Sequence, residues 1–184
     1  MAPNETSDTR LRIIEAAREL FTAQTYRAAS MRDVAARVGI SKPSLYHHFR
    51  SKGEILDCLV RPPIDRLDAT IRDAAAAAPT LAEVRRRVLG GCVDVMLGHR
   101  ETMVLLLRDA SVYGDETTEL MSRVVGITSR AVELLAGPDP DWRLRVRAAQ
   151  AFAAATDPIS HLPDVPDDEL REELLRGASA ILSP

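Results

Sequence analysis

Aromatic residues are scarce in this chain, 4% of 184 positions with a single tryptophan, and no segment alternates apolar and polar residues as a half-buried strand would. A β-sandwich or barrel draws its core from aromatic and β-branched strands, so the composition, dominated by Ala, Leu, Val and Arg, favours an all-helical protein. The two cysteines, Cys58 and Cys92, are isolated, without a CxxC pair. They offer no disulfide framework and fit a reducing cytoplasm. Long hydrophobic runs are lacking too. The apolar stretch in TMVLLLR falls far short of the roughly 20 residues that span a bilayer, and the first ten residues, MAPNETSDTR, are polar rather than a secretion signal. No GxSxG, Gly-rich phosphate loop or HExxH occurs, and Ser160-His161 sits in a Pro-rich stretch without an evident partner. Neither an enzyme nor a cofactor is therefore expected. Among the histidines and cysteines only Cys92 and His99, seven apart, share a helix face, and two residues do not make a metal site.

What is present begins with ample apolar material for a core, 46% of the chain. The net charge of −3 is unevenly spread. Between Thr25 and Lys52 six cations (Arg27, Arg32, Arg37, Lys42, Arg50, Lys52) face one acid, Asp33, a local charge of +5 against −8 for the remainder. A small basic face on an acidic body suits a polyanionic partner, although charge runs on helices are often only solvated faces.

The same basic segment contains SMRDVAARVGISKPSLYHHF, Ser30 to Phe49. Met31, Val34, Ala35 and Val38 follow the i, i+3, i+4, i+7 rhythm of one buried helix face. Gly39 stands where a helix C-terminus needs positive φ, and Ser41 is a good N-cap for a second short helix. On that helix Leu45 and Phe49 fall on one side, with Lys42, Ser44, Tyr46 and His47 largely on the other. Two helices sharing one tight turn, the second presenting a cation, a hydroxyl, a phenol and an imidazole, suit a DNA major groove.

Around this pair the spacing predicts a first helix from about Ser7 or Asp8 to Ala23, with Arg10 and Arg12 mostly on its outer face. Ser51 and Glu54 form a capping box for a fourth helix. Pro62 and Pro63 are expected to interrupt it after Arg61, with a restart running to Ala78. Thr80 with Glu83 caps the next helix, where Gly90 and Gly91 imply close packing or a bend. Further helices are predicted over Arg100–Tyr113, Asp115–Ala136 and Trp142–Thr156, the last capped by Asp139 with Pro140 in its first turn. The final helix carries Asp167, Asp168 and Glu169 at its N-terminus, as the helix dipole prefers.

The first 60 or so residues resemble the DNA-binding domain of the TetR family of bacterial transcriptional regulators. The carrying residues are Ser30-Met31-x-x-Val34-Ala35-x-x-Val38-Gly39-Ile40-Ser41, then Leu45-Tyr46-x-His48-Phe49 and Ser51-Lys52-x-Glu54-Ile55-Leu56. The resemblance implies a helix-turn-helix domain over residues 1–53 and a helical effector-binding and dimerisation domain over 54–184. It implies a homodimer that binds a palindromic double-stranded DNA operator and is released by a small-molecule effector, most simply as a repressor in the cytoplasm. The alternative is a dimeric DNA-binding regulator with no small-molecule effector. Lys42, Pro43, Ser44, Tyr46 and His47 would lie on the reading helix. Ser30 and its helix N-terminus would face phosphate, Lys52 would reach backbone phosphate, and Arg27 and Arg32 belong to the same basic face. Two departures stand out. Thr25 replaces the family's usual glycine, so a different geometry is expected at the end of the first helix. Pro43 replaces a frequent glycine, which is tolerable in a first turn and offers an apolar contact to a thymine methyl.

Two more groups of residues remain open between roles. Cys92, Met96, His99, Met103, Leu106, Tyr113 and Phe152 could line an effector pocket, and core filling explains them equally well. Trp142, Val146, Ala149, Leu170, Leu174, Ala178 and Ile181 could pair with a second subunit, or form an ordinary intramolecular hairpin. Arg108 and Asp109 could pair with each other or lie on the surface.

Overall fold

The apolar stripes become nine α-helices and no strand among the residues described by this computed structural model, which are 3–77, 79–112 and 118–183. In chain order they are α1 (Pro3–Gln24), α2 (Met31–Val38), α3 (Lys42–His48), α4 (Lys52–Ala77), α5 (Leu81–Gly98), α6 (Arg100–Arg108), α7 (Thr118–Ala136), α8 (Trp142–Thr156) and α9 (Asp167–Leu182). Short 3-10 turns cover Ala110–Val112 and Asp157–Ser160.

The chain folds as two compact units. One combines Met1–Pro62 with Glu101–Thr118, and the other combines Pro63–Arg100 with Glu119–Pro184. This differs from a single cut after residue 53, because a segment distant in sequence folds back onto the N-terminal helices. In the first unit α1 packs on α2 and α2 on α3, and Ile13, Ala17 and Phe21 of α1, Val34 of α2, Leu45 of α3, Phe49, and Ile55, Leu56 and Val60 of α4 are all buried to 1% exposure or less. Each large apolar side chain so buried contributes about 1.5–3 kcal/mol. In the second unit α8 packs on α9 and both pack on α5. The fully buried Ala148, Ala151 and Ala155 of α8 keep side-chain bulk out of that packing.

Several expectations need correction. Helix α1 starts at Pro3, ahead of Ser7, and a proline is preorganised for a first turn. Helix α4 runs unbroken through Pro62 and Pro63. The two prolines remove amide donors, but Leu59 and Val60 before them and Pro63 and Ile64 after them are buried, and that packing offsets the local cost. Thr25 takes the left-handed conformation itself, φ +84°, so α1 ends with the geometry that a glycine would give. Helix α6 stops at Arg108, because the Asp109 carboxylate accepts from the N–H and hydroxyl of Ser111 at 3.0 and 2.6 Å and competes with the helical pattern. Asp141, not Asp139, caps α8 by accepting from the Leu144 N–H at 2.8 Å. Tyr113, Gly114 and Asp115 lie outside the described residues.

Candidate nucleic-acid interface

Local chemistry sets each end of the α2–α3 pair. The Ser30 hydroxyl oxygen accepts from the Asp33 N–H at 3.2 Å, while the Asp33 carboxylate accepts from the Ser30 N–H at 2.9 Å. This reciprocal capping box, together with a 2.6 Å bond from the Ser30 hydroxyl, holds the Asp33 carboxyl below the usual carboxylate range. Helix α2 ends at Gly39, whose φ of +78° lets its N–H reach the carbonyls of Ala35 and Ala36. Ser41 then caps α3 by accepting from the Ser44 N–H at 3.3 Å, with Pro43 in the first turn where no amide is needed.

The outcome is a seven-residue helix with one inward anchor, Leu45, followed by the buried Phe49. Its other face is open. Lys42, Pro43, Tyr46 and His47 are exposed and Ser44 is half-buried. The Lys42 ammonium lies 5.8 Å from the centre of the Tyr46 ring, so cation and phenol share one face. Such a face can donate to guanine O6 and N7, accept from amino groups and touch a thymine methyl. Arg27, Ser30 and Arg32 are exposed as well, although the Ser30 hydroxyl is already engaged with Asp33.

Lys52 is placed differently from the phosphate contact expected of it. Its ammonium donates to the carbonyls of Tyr26 at 2.5 Å and Ala29 at 2.8 Å, and sits 4.3 Å from the centre of the Tyr26 ring. The strained connector between α1 and α2 is thus gripped from α4. A second grip comes from the segment after α6. The Asp109 carboxylate accepts from the Tyr26 N–H at 2.5 Å, and the Ser111 hydroxyl accepts from the Arg27 N–H at 3.0 Å. Burial pushes the Asp109 carboxyl up, but the bonds from Ser111 and Tyr26, with Lys52 nearby, outweigh it and leave the carboxyl below its ordinary value. Asp109 therefore pairs with the connector rather than with Arg108. Neither this grip nor the reach of Arg10 and Arg12 toward the helix ends is visible in periodicity, because the partners lie 26 to 84 positions apart.

The remaining candidates divide between the units. Cys92, Met96, His99 and Phe152 belong to the second, Met103 and Leu106 to the first. Cys92, Met96, Met103 and Leu106 are buried, and burial drives the Cys92 thiol up to about 12. His99 is pushed down by burial and by Arg66, whose guanidinium lies 3.2 Å from its Nε2. Two open clefts of the second unit have other linings. One, of about 340 Å³, runs along Ala82, Arg85, Leu89, Leu175, Ser179 and Leu182, and the other, of about 400 Å³, includes Thr70, Arg87, Gly91, Asp94 and Arg171. Leu170, Leu174 and Ala178, left open between a second subunit and an intramolecular hairpin, are buried inside the second unit, where α9 packs on α5 and α8, and Ile181 is half-buried. Trp142, Val146 and Ala149 are exposed.

Residues 13–59 match the family model described as bacterial regulatory proteins, tetR family. The HTH-type transcriptional repressor KstR2 of Mycobacterium tuberculosis is 32% identical over 111 residues, 60% of this chain and 52% of that protein. The HTH-type transcriptional activator FasR of Mycolicibacterium smegmatis is 39% identical over 67 residues, 36% of this chain and 31% of that one. The chain thus spans about half the length of the first of these relatives and less of the second. Among solved structures, SCO3833 of Streptomyces coelicolor A3, a member of the TetR transcriptional regulator family, superimposes with a TM-score of 0.76 at 25% identity, covering 93% of this chain and 89% of that one.

Proposed function

We infer, for a chain that belongs to the TetR family of bacterial regulatory proteins, a transcriptional regulator that reads double-stranded DNA through α3. The observation that carries this reading is the open face of α3. Lys42, Ser44, Tyr46 and His47 stand on a short helix whose two ends are capped and whose one buried side chain points inward. Phosphate contacts would come from Arg27, Arg32 and the N-terminus of α2, and base contacts from the α3 side chains. The relatives KstR2 and FasR are a transcriptional repressor and a transcriptional activator.

A single seven-residue helix contacts too few bases for useful specificity, so the working unit is a homodimer with reading heads one helical turn apart, about 34–36 Å. The exposed Trp142, Val146 and Ala149 are the surface assigned to that pairing. A small-molecule effector would act by binding the operator-free arrangement more tightly than the bound one, with repression lifted as the result. No helix among the described residues is long and apolar enough to cross a membrane. Footprinting on the DNA flanking its own gene tests the reading. Protection of two half-sites about 10 base pairs apart supports it, and uniform or absent protection removes it. Thermal shift against metabolite sets, followed by release assays, separates an effector-responsive regulator from one without an effector.

A further inference from the structure

We propose that Arg10 and Arg12 of α1 are positioning residues for DNA reading: each ties down the C-terminal carbonyl of one helix of the α2–α3 pair and so sets the angle at which α3 meets a groove. The Arg10 guanidinium donates to the His48 carbonyl, the last of α3, at 2.7 Å. Its central carbon also lies over the Phe49 ring, 4.0 Å from the ring centre, and the guanidinium reaches the Cys58 Sγ at 3.4 Å and stands 3.8 Å from a Glu54 oxygen. The Arg12 guanidinium donates to the Val38 carbonyl, the last of α2, at 2.9 Å.

Terminal carbonyls of a helix have no partner within it, and a cation there also complements the helix dipole. Two residues apart on α1, the arginines emerge on nearly opposite flanks yet from points only about 3 Å apart along the axis. One rigid piece of α1 therefore references both helix ends. The need is greatest for α3. A seven-residue helix is far too short to hold itself together in water. With Leu45 as its one buried residue, packing alone leaves its rotation about its own axis loosely fixed. Ser41 fixes the N-terminal end and Arg10 the C-terminal end. A small rotation would swing Lys42 and Tyr46 off the base edges they are aimed at, while phosphate contacts, which tolerate displacement, would persist.

This inference rests on the DNA-reading function proposed above, and the experiment keeps the two apart. Duplexes are selected from a randomised pool with the wild-type chain, and binding of the selected duplex and of poly(dI-dC) is measured over a salt series for wild type, Arg10→Met, Arg10→Lys and Arg12→Met, with a melting curve for each. If wild type selects no duplex, the DNA-reading function itself fails. The expected result is that Arg10→Met lowers the ratio of selected to poly(dI-dC) affinity about tenfold, the scale of one lost base contact. Binding to poly(dI-dC) and the salt slope should stay at wild-type values. Arg10→Lys, which keeps a donor for the His48 carbonyl but not the guanidinium contact with the Phe49 ring, should fall between, and it decides the matter if Arg10→Met does not fold. Arg12→Met should shift the ratio in the same direction. A salt slope reduced by about 0.9 would make Arg10 a phosphate contact and overturn the proposal. A lower melting temperature with an unchanged ratio would make it a purely structural residue, and overturn it equally.

Discussion

Replacing Lys52 with methionine removes the ammonium and keeps most of the apolar stem, so it isolates what the charge does. In the structure that charge bonds the Tyr26 and Ala29 carbonyls at 2.5 and 2.8 Å and lies 4.3 Å from the centre of the Tyr26 ring. Hydrogen bonds from a charged donor contribute about 1.5–3 kcal/mol each, and a half-exposed cation over an aromatic ring roughly 0.5–1 kcal/mol. Lys52 is half-buried, so the lower end of each range applies, and Lys52→Met should cost about 3.5 kcal/mol. For a chain of this size 1 kcal/mol moves the melting temperature by about 2–4 °C, which places the expected fall at roughly 7–14 °C. Circular dichroism melts measure it. The companion assay is the salt dependence of duplex binding. A lysine committed to the connector leaves the slope of log K against log salt unchanged, whereas loss of a phosphate contact would flatten it by about 0.9. A slope reduced by that amount with an unmoved melting temperature would refute the internal role assigned to Lys52.

Three other perturbations follow from the same contacts. Asp109→Asn exchanges an acceptor of the Tyr26 N–H for a mixed amide. Because the folded carboxyl titrates below its unfolded value, its stabilisation is complete above about pH 4 and is lost as pH falls through the folded value. Urea unfolding should therefore find the variant weaker at pH 7 and the gap to wild type closing below pH 4; a gap that is constant with pH would contradict this. Thr25→Gly relieves a β-branched residue at φ +84°, and after the added entropy of the unfolded glycine a net gain of about 0.5–1 kcal/mol is expected in denaturant titrations. Gly91→Ala would set its Cβ against the Cγ2 of Thr70, and overpacking of this kind costs about 1–3 kcal/mol. Adding Thr70→Ser, which lacks that methyl, should recover most of the loss in calorimetry; no recovery would place the strain elsewhere.

The helix pair was legible because its determinants are local. Ser30 with Asp33, Gly39 and Ser41 act within four residues of themselves, and each performs in the structure the capping role its position announces. Pro62 and Pro63 were misleading for the opposite reason. Their local cost is real, but burial of Leu59, Val60 and Ile64 decides the outcome, and burial depends on partners that spacing does not reveal. The stripe of Leu170, Leu174 and Ala178 was correctly apolar, yet periodicity cannot say whether α9 meets its own unit or a second chain. Within the candidate site, the α3 face was readable from residue type alone. The grip on the connector was not, because Asp109 and Tyr26 stand 83 residues apart and meet through a backbone N–H that carries no sequence signal.

The central claim is that the exposed side chains of α3 read base edges. Its most direct measurement is the base preference of wild type beside that of Lys42→Ala and Tyr46→Phe, each selected from the same randomised duplex pool. Both positions are exposed, so melting temperatures should stay within about 2 °C of wild type. The selected sequences should relax or change at one or two defined positions in each half-site, each change corresponding to about 1–3 kcal/mol of lost discrimination. Selected sequences identical to those of wild type in both variants would contradict the claim.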